Sequence, residues 1–327
     1  MHIVIVEDID PTVRTMMKVT DAHLKAIKEI LPQASITVTN DTLPSINQDI
    51  KDAEILIVPN VNHINFAQDK TLKWVHVTFA GVDTLSQSLL DSDVLITNSS
   101  GIHPIPIAEH VFAFILMLTH KMNFTFRNQI LSKKWEITPQ ILALSEIHEK
   151  TIAIVGMGRI GSRIAKLAKA FDMQVFGVVR NPRNQESIDK VFTTDQLLEV
   201  LPQVDYVVNC LPLTKETHHL FTLDYFKKMK KSAYFINVGR GKTVVEKDLI
   251  QALQQKIIAG AGIDVTEEEP LPSSNPLWDL ENVIITPHIS GLTPYYMDRA
   301  IAIFCENLKA YLQKKPLPNL IDKKRGY

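Results

Sequence analysis

The chain has 327 residues, of which 45% are hydrophobic and 22% charged, a globular balance that excludes a largely disordered chain. Its formal net charge of −1 excludes a global electrostatic pull toward nucleic acid or a membrane surface. The two cysteines, Cys210 and Cys305, lie in apolar runs and speak against a disulfide framework or a cysteine zinc site, and the length suits two domains rather than one core.

In chain order, Met1 to Val6 lacks a basic leader region and is expected to be a first strand rather than a signal peptide. No apolar run approaches the roughly 18 residues of a membrane span, so a cytoplasmic protein is expected. Short β-branched runs alternate with amphipathic stretches, the pattern of parallel sheets covered by helices. Strands are predicted at 2–6, 35–39, 54–58, 74–78 and 94–97, forming one small α/β domain. A nearly unbroken apolar stretch at 105–118, around Glu109 and His110, predicts a buried helix bridging to a second domain. There, runs at 152–155, 174–178, 206–209, 233–238, 260–264 and 283–286 predict six strands of a doubly wound, dinucleotide-binding sheet. A last helix at 297–312, after Pro294, is expected to return to the first domain, followed by a polar Lys323-Lys324-Arg325 tail.

Gly156-Met157-Gly158-Arg159-Ile160-Gly161 directly follows the strand at 152–155 and opens a helix with apolar spacing at Ile160, Ile164, Leu167, Ala168 and Phe171. Glycines there allow a tight turn and close backbone approach, and the helix N-terminus offers N–H groups to a pyrophosphate. A purely structural βα turn is the alternative. NAD-using domains place an acidic residue about 20 positions further on, at the ribose 2′-OH. Here Val179 stands in that place, with Arg180 and Arg183 beyond it, so the reading favours NADP(H) over NAD(H). The bland alternative is a solvated turn with no cofactor preference.

Further on, Arg240, Glu269 and His288 follow apolar strand-like runs in one order. A hydride transfer to a 2-oxo acid needs a cation for the substrate carboxylate, an acid/base for the carbonyl oxygen and a carboxylate to tune that acid. Arg240, between two glycines, supplies a planar fork suited to a carboxylate and a developing oxyanion. His288, between Pro287 and a small Ser290-Gly291 turn, is the proton donor or acceptor. Glu269 would pair with it and favour its charged form.

These segments resemble the D-isomer-specific 2-hydroxyacid dehydrogenase family, of the glyoxylate/hydroxypyruvate reductase type. The resemblance lies in Gly156 to Gly161, Cys210-Leu211-Pro212-Leu213-Thr214 with Thr217, Asn237-Val238-Gly239-Arg240-Gly241, Gly262-Ile263-Asp264-Val265 with Glu268-Glu269-Pro270, and Thr286-Pro287-His288-Ile289-Ser290. It implies two Rossmann-like, doubly wound parallel-sheet domains. A flavodoxin-like substrate domain spans 1–100 and 292–327, a dinucleotide domain spans 101–291, and the site lies in the cleft between them. It implies further that Asp264 bonds the nicotinamide carboxamide, that Leu211 and Pro212 pack by the ring, that Thr217 and Val238 lie near the cofactor, and that backbone groups at Ala80 and Gly81 bind the substrate carboxylate. The segment 122–144, with Trp135, would reach a second subunit in a homodimer. His218-His219 lacks a third ligand, so no metal is expected. The formate-oxidising relatives carry Gln where this chain has Glu269. A phosphoglycerate dehydrogenase, often longer at its end, and a non-catalytic dinucleotide-sensing scaffold of the C-terminal-binding type remain as alternatives. Phe79, Trp135 and Tyr295 are candidates for lining the substrate side chain, whose identity stays open.

Overall fold

The computed structural model describes residues 1–7, 15–40, 50–59, 71–81, 85–131, 133–182 and 186–323. The chain forms two compact units, 1–103 with 292–327, and 104–291.

In the first unit, β1 (His2–Glu7), β2 (Ser35–Asn40), β3 (Ile55–Val58), β4 (Trp74–Val77) and β5 (Leu95–Asn98) form a parallel sheet in the order β2-β1-β3-β4-β5. A parallel sheet covered on both faces needs continuous apolar strands, and Ile55 to Val58 are all fully buried. The helix Tyr296–Leu312 covers one face, with Phe304 and Tyr311 stacked on Trp74 at 5.0 and 5.2 Å. His76 is buried in β4 beside them, and burial pushes its pKa down to about 3, so the neutral ring bonds Thr97 Oγ1 at 2.7 Å and Ser99 Oγ at 3.1 Å.

Among the described residues the second unit holds seven parallel strands, not the six expected. They are β6 (Thr151–Val155), β7 (Gln174–Val179), β8 (Lys190–Thr193), β9 (Tyr206–Asn209), β10 (Tyr234–Asn237), β11 (Gly260–Ile263) and β12 (Val283–Ile285), in the order β12-β11-β10-β9-β6-β7-β8. The unexpected strand is β8, a four-residue edge strand with two exposed residues that pairs only with β7. Val191, Phe192 and Thr193 favour a strand, but a run of only four residues that begins with two exposed positions is too short to mark one clearly. The strand order reverses between β6 and β9, the switch point at which such sheets bind ligands outside their carboxyl ends.

The apolar stretch expected to bridge the domains is the helix Pro104–Thr119, and it falls wholly in the second unit. Gly262 in β11 lets it approach, since a β-carbon there would lie 2.6 Å from the Phe114 ring. Among the described residues no single helix is long and apolar enough to cross a membrane. Residues 324–327, with Lys324 and Arg325, lie outside the described residues.

Candidate active site

Loops at the carboxyl ends of β6, β9, β10, β11 and β12 carry most of the candidate residues. After β6 the chain turns at Gly156 with φ +101°, and a β-carbon there would also lie 3.0 Å from the Cys210 carbonyl oxygen. Both conditions exclude an ordinary side chain. Gly158 caps the helix Arg159–Ala170, and a β-carbon on it would meet nothing within 4 Å. The space beside this first turn is therefore open to a ligand, while the amphipathic helix buries Gly161, Ile164, Ala165 and Ala168 against the sheet. Helix N-termini present N–H groups and a positive dipole end, so the open side fits a dinucleotide pyrophosphate.

At the end of β7, Val179 is buried and Arg180 exposed, and Arg183 lies outside the described residues. The carboxyl of Glu216, on the loop after β9, is held low by the Thr214 hydroxyl and its own backbone, with the Arg180 charge contributing. On the same loop Leu211 is buried and Pro212 exposed. The Thr217 hydroxyl donates to the Pro212 carbonyl at 2.6 Å and accepts from the Thr214 N–H at 2.7 Å, so it closes the loop on itself.

Beneath the loops after β9 and β10 lies a buried polar network that the sequence reading did not single out. Asn209 Nδ2 donates to Asn237 Oδ1 at 2.9 Å and to Thr243 Oγ1 at 2.7 Å. Asn209 Oδ1 accepts from the Leu211 N–H at 3.2 Å, Asn237 Oδ1 from the Gly239 N–H at 3.2 Å, and the Thr243 hydroxyl donates to the Arg240 carbonyl at 2.6 Å. The available signal was that two apolar strands paired in register both end in Asn.

Arg240 follows Val238 and Gly239 and is half-buried, with Nη1 donating to the Gly239 carbonyl at 3.0 Å. Gly241 lies flat on the peptide joining Thr266 and Glu267, where any β-carbon would overlap the Thr266 carbonyl. That close approach brings the loop after β10 onto the segment that carries Glu269.

His288 stands after β12 in the left-handed region at φ +54°, held there by its N–H, which donates to the Asp264 carbonyl at 2.9 Å and the Thr286 carbonyl at 3.0 Å. Its Nδ1 lies 2.8 Å from Glu269 Oε2, and Glu269 Oε1 accepts from the Thr266 N–H at 3.1 Å. The Glu269 hydrogen bond raises the His288 pKa above its ordinary value; partial burial and Arg240 oppose the rise, and the charges of Glu269 and Asp264 assist it. Partial burial raises the Glu269 carboxyl, but the bond and charge of His288, the Thr266 N–H and Arg240 outweigh it and hold the pKa low. The pair is thus biased toward imidazolium and carboxylate, leaving Nε2 of a half-exposed ring as the position for proton exchange. Glu267 points elsewhere, toward His219 at 2.9 Å and the Glu246 N–H at 3.3 Å.

Asp264, expected near the carboxamide, is buried. Its Oδ1 accepts from the Thr286 hydroxyl at 2.6 Å and the Ile289 N–H at 2.9 Å, and its Oδ2 accepts from the Ser290 N–H at 3.1 Å. In the first unit, Ala80 and Gly81 are half-buried after β4, with the Ala80 carbonyl accepting from Asn98 Nδ2 at 2.8 Å. Among the described residues no group of three or more His, Cys, Asp or Glu is placed to hold a metal ion.

Residues 112–290 match the family model described as D-isomer specific 2-hydroxyacid dehydrogenase, NAD binding domain. The chain is 37% identical over 239 residues to the glyoxylate/hydroxypyruvate reductase B of Escherichia fergusonii, covering 71% of this chain and 72% of that protein. It superposes with a TM-score of 0.83 on a D-isomer specific 2-hydroxyacid dehydrogenase family protein from Aeromonas salmonicida, at 33% identity over 98% of this chain and 99% of the other. A D-isomer specific 2-hydroxyacid dehydrogenase from Xanthobacter autotrophicus, solved with NADPH and MES, gives a TM-score of 0.81 at 27% identity, covering 100% of this chain and 99% of that one.

Proposed function

The chain belongs to the D-isomer-specific 2-hydroxyacid dehydrogenase family, and from that premise we propose that it reduces small 2-oxo acids of the glyoxylate and hydroxypyruvate type with NADP(H) in preference to NAD(H). As a member it is an NAD(P)-dependent oxidoreductase. The observation that carries the proposal is the 2.8 Å pair of His288 Nδ1 and Glu269, with the Arg240 charge acting on both.

A bound nicotinamide supplies the hydride that adds to the carbonyl carbon, or accepts it in the reverse direction. Every other part of the chemistry falls to the chain. The Arg240 guanidinium binds the substrate carboxylate and carbonyl oxygen and meets the negative charge that develops on that oxygen. His288 Nε2 gives its proton to the same oxygen, so that a 2-oxo acid leaves as a 2-hydroxy acid, and takes it back in oxidation. Glu269 keeps the ring positive until the proton moves. Gly156, Gly158 and the first turn at Arg159, Ile160 and Gly161 would hold the pyrophosphate. Leu211, Pro212 and Val238 would pack by the ring with Thr217 near the cofactor, and Asp264, which holds the His288 turn, would also accept from the carboxamide. The unit 104–291 is read as the dinucleotide domain, and the unit 1–103 with 292–327 as the substrate domain, with Ala80 and Gly81 contributing backbone N–H groups to the carboxylate.

The cofactor preference is supported by the missing carboxylate at Val179 and by exposed Arg180. A homodimer is supported by the apolar side chains exposed from Met122 to Leu144, Trp135 foremost.

A panel of 2-oxo acids assayed with NADPH and with NADH, by absorbance at the nicotinamide band, tests the proposal. NADPH-dependent reduction of glyoxylate and hydroxypyruvate is expected. Preference for a phosphorylated 3-carbon oxo acid would move the assignment to the phosphoglycerate type. Cofactor binding without turnover on any oxo acid would favour a dinucleotide-sensing scaffold.

A further inference from the structure

His110 interrupts the apolar helix Pro104–Thr119, and the chemistry above gives it no task. The helix comes close enough to the sheet for His110 to reach it because Gly262 leaves room for Phe114. Four residues before Phe114 and on the same face, His110 packs edge-on against that ring at 4.6 Å, and its Nε2 lies 3.0 Å from Thr286 Oγ1. The Thr286 hydroxyl has one proton, which goes to Asp264 Oδ1 at 2.6 Å. It therefore accepts from His110, which must carry its hydrogen on Nε2. Burial lowers the His110 pKa against the opposing pull of Asp264, in keeping with a neutral ring of that tautomer. At the far end, the Asp264 carboxylate holds the N–H groups of Ile289 and Ser290, and its carbonyl accepts from the N–H of His288. Three successive N–H groups of one turn are thus tied to a single aspartate, and that turn displays the His288 ring.

We propose that His110 is a positioning residue, which acts through the Thr286 hydroxyl on Asp264 and thereby locks the turn 288–290 that presents His288. This rests on the reading of His288 as the proton donor. The donated hydrogen bond polarises the Thr286 hydroxyl and fixes its rotamer, strengthening its bond to the buried Asp264 carboxylate. A leucine at 110 fills similar space but leaves the hydroxyl free to rotate away.

The test uses the full chain with His110→Leu, His110→Gln, Thr286→Val and the double variant His110→Leu/Thr286→Val. In His110→Leu, kcat for oxo-acid reduction should fall about tenfold with the KM for NADPH unchanged. Glutamine, whose amide N–H reaches the place of Nε2, should recover most of that loss. The double variant should be no slower than Thr286→Val alone, because both changes cut one relay. Amide exchange at Ile289 and Ser290 should quicken in His110→Leu and return toward normal in His110→Gln, with the amides of β11 unchanged. Losses that multiply in the double variant, a glutamine as poor as leucine, or unaltered exchange at 289 and 290 would each overturn the relay. Quickened exchange with glutamine rescue, in a protein that reduces no 2-oxo acid, would keep the relay and refute the proposed activity instead.

Discussion

Replacing Asn237 by leucine should destabilise the second unit and weaken oxo-acid binding while sparing the cofactor. Asn237 is 1% exposed, and its Oδ1 accepts from the Gly239 N–H and from Asn209 Nδ2. Leucine has nearly the same shape and no acceptor. The Gly239 N–H and one Asn209 hydrogen then lose their acceptor in a buried setting, and a stranded buried donor costs about 1–3 kcal/mol, so the pair costs about 2–6 kcal/mol. Added apolar burial returns about 1 kcal/mol, leaving a net loss of roughly 1–5 kcal/mol. Urea unfolding followed by circular dichroism measures it. The same change frees Gly239, whose carbonyl accepts from Arg240 Nη1, so the KM for the 2-oxo acid should rise roughly tenfold. The Leu211 N–H keeps its bond to Asn209 Oδ1, so the KM for NADPH should stay within about twofold. A loss below about 0.5 kcal/mol would show that the two donors find other acceptors and that the network adds little to stability. Equal movement of both KM values would show that it supports the whole unit rather than the Arg240 loop.

His288→Gln should lower kcat by a factor on the order of 100 or more with NADPH affinity intact, and near-normal turnover would remove His288 from the proton transfer. Glu269→Gln bears on pH. His288 has a raised pKa, so its imidazolium, and the pair's contribution, are present at low pH and lost as pH rises through that value. The variant replaces the anionic acceptor by a neutral amide and so removes the charge that favours the imidazolium; the fall in reduction rate should move to lower pH, and an unmoved pH profile would separate Glu269 from the ring. Arg240→Lys keeps the charge but loses the fork, and kcat/KM should fall by several kcal/mol equivalent, about 2–4; survival of activity with a small KM change would make Arg240 peripheral. Val179→Asp with Arg180→Ala should reverse the cofactor preference, and equal use of NADH by the unchanged protein would show Arg180 to be a surface turn.

Much of this protein is written locally. Apolar or β-branched runs bounded by turns predict eleven of the twelve strands among the described residues, because a buried parallel strand needs apolar residues along its length. The loop Gly156 to Gly161 is legible for a similar reason, since backbone conformation at Gly156 depends on that residue alone. The same holds for the chemical identity of Arg240, Glu269 and His288, which follow strand ends whatever their partners.

What the sequence could not state is who meets whom. Val191, Phe192 and Thr193 favour a strand, but their run is too short to declare one, and it is the edge of β7 that orders it as β8. Glu267, Glu268 and Glu269 are chemically alike, yet only Glu269 lies 2.8 Å from His288, while Glu267 turns to His219. The packing of Gly241 on Thr266, 25 positions away in the chain, sets which carboxylate shares its surroundings with Arg240. His110 looks like a lone polar residue in an apolar helix until Gly262 lets that helix approach Thr286. Hydrogen bonds and ion pairs act over about 3–4 Å in space with no regard to separation along the chain. Composition and periodicity report only a residue's own preference for burial or conformation, and so the pairings that give these groups their chemistry exist only once the sheet has brought its strand ends together.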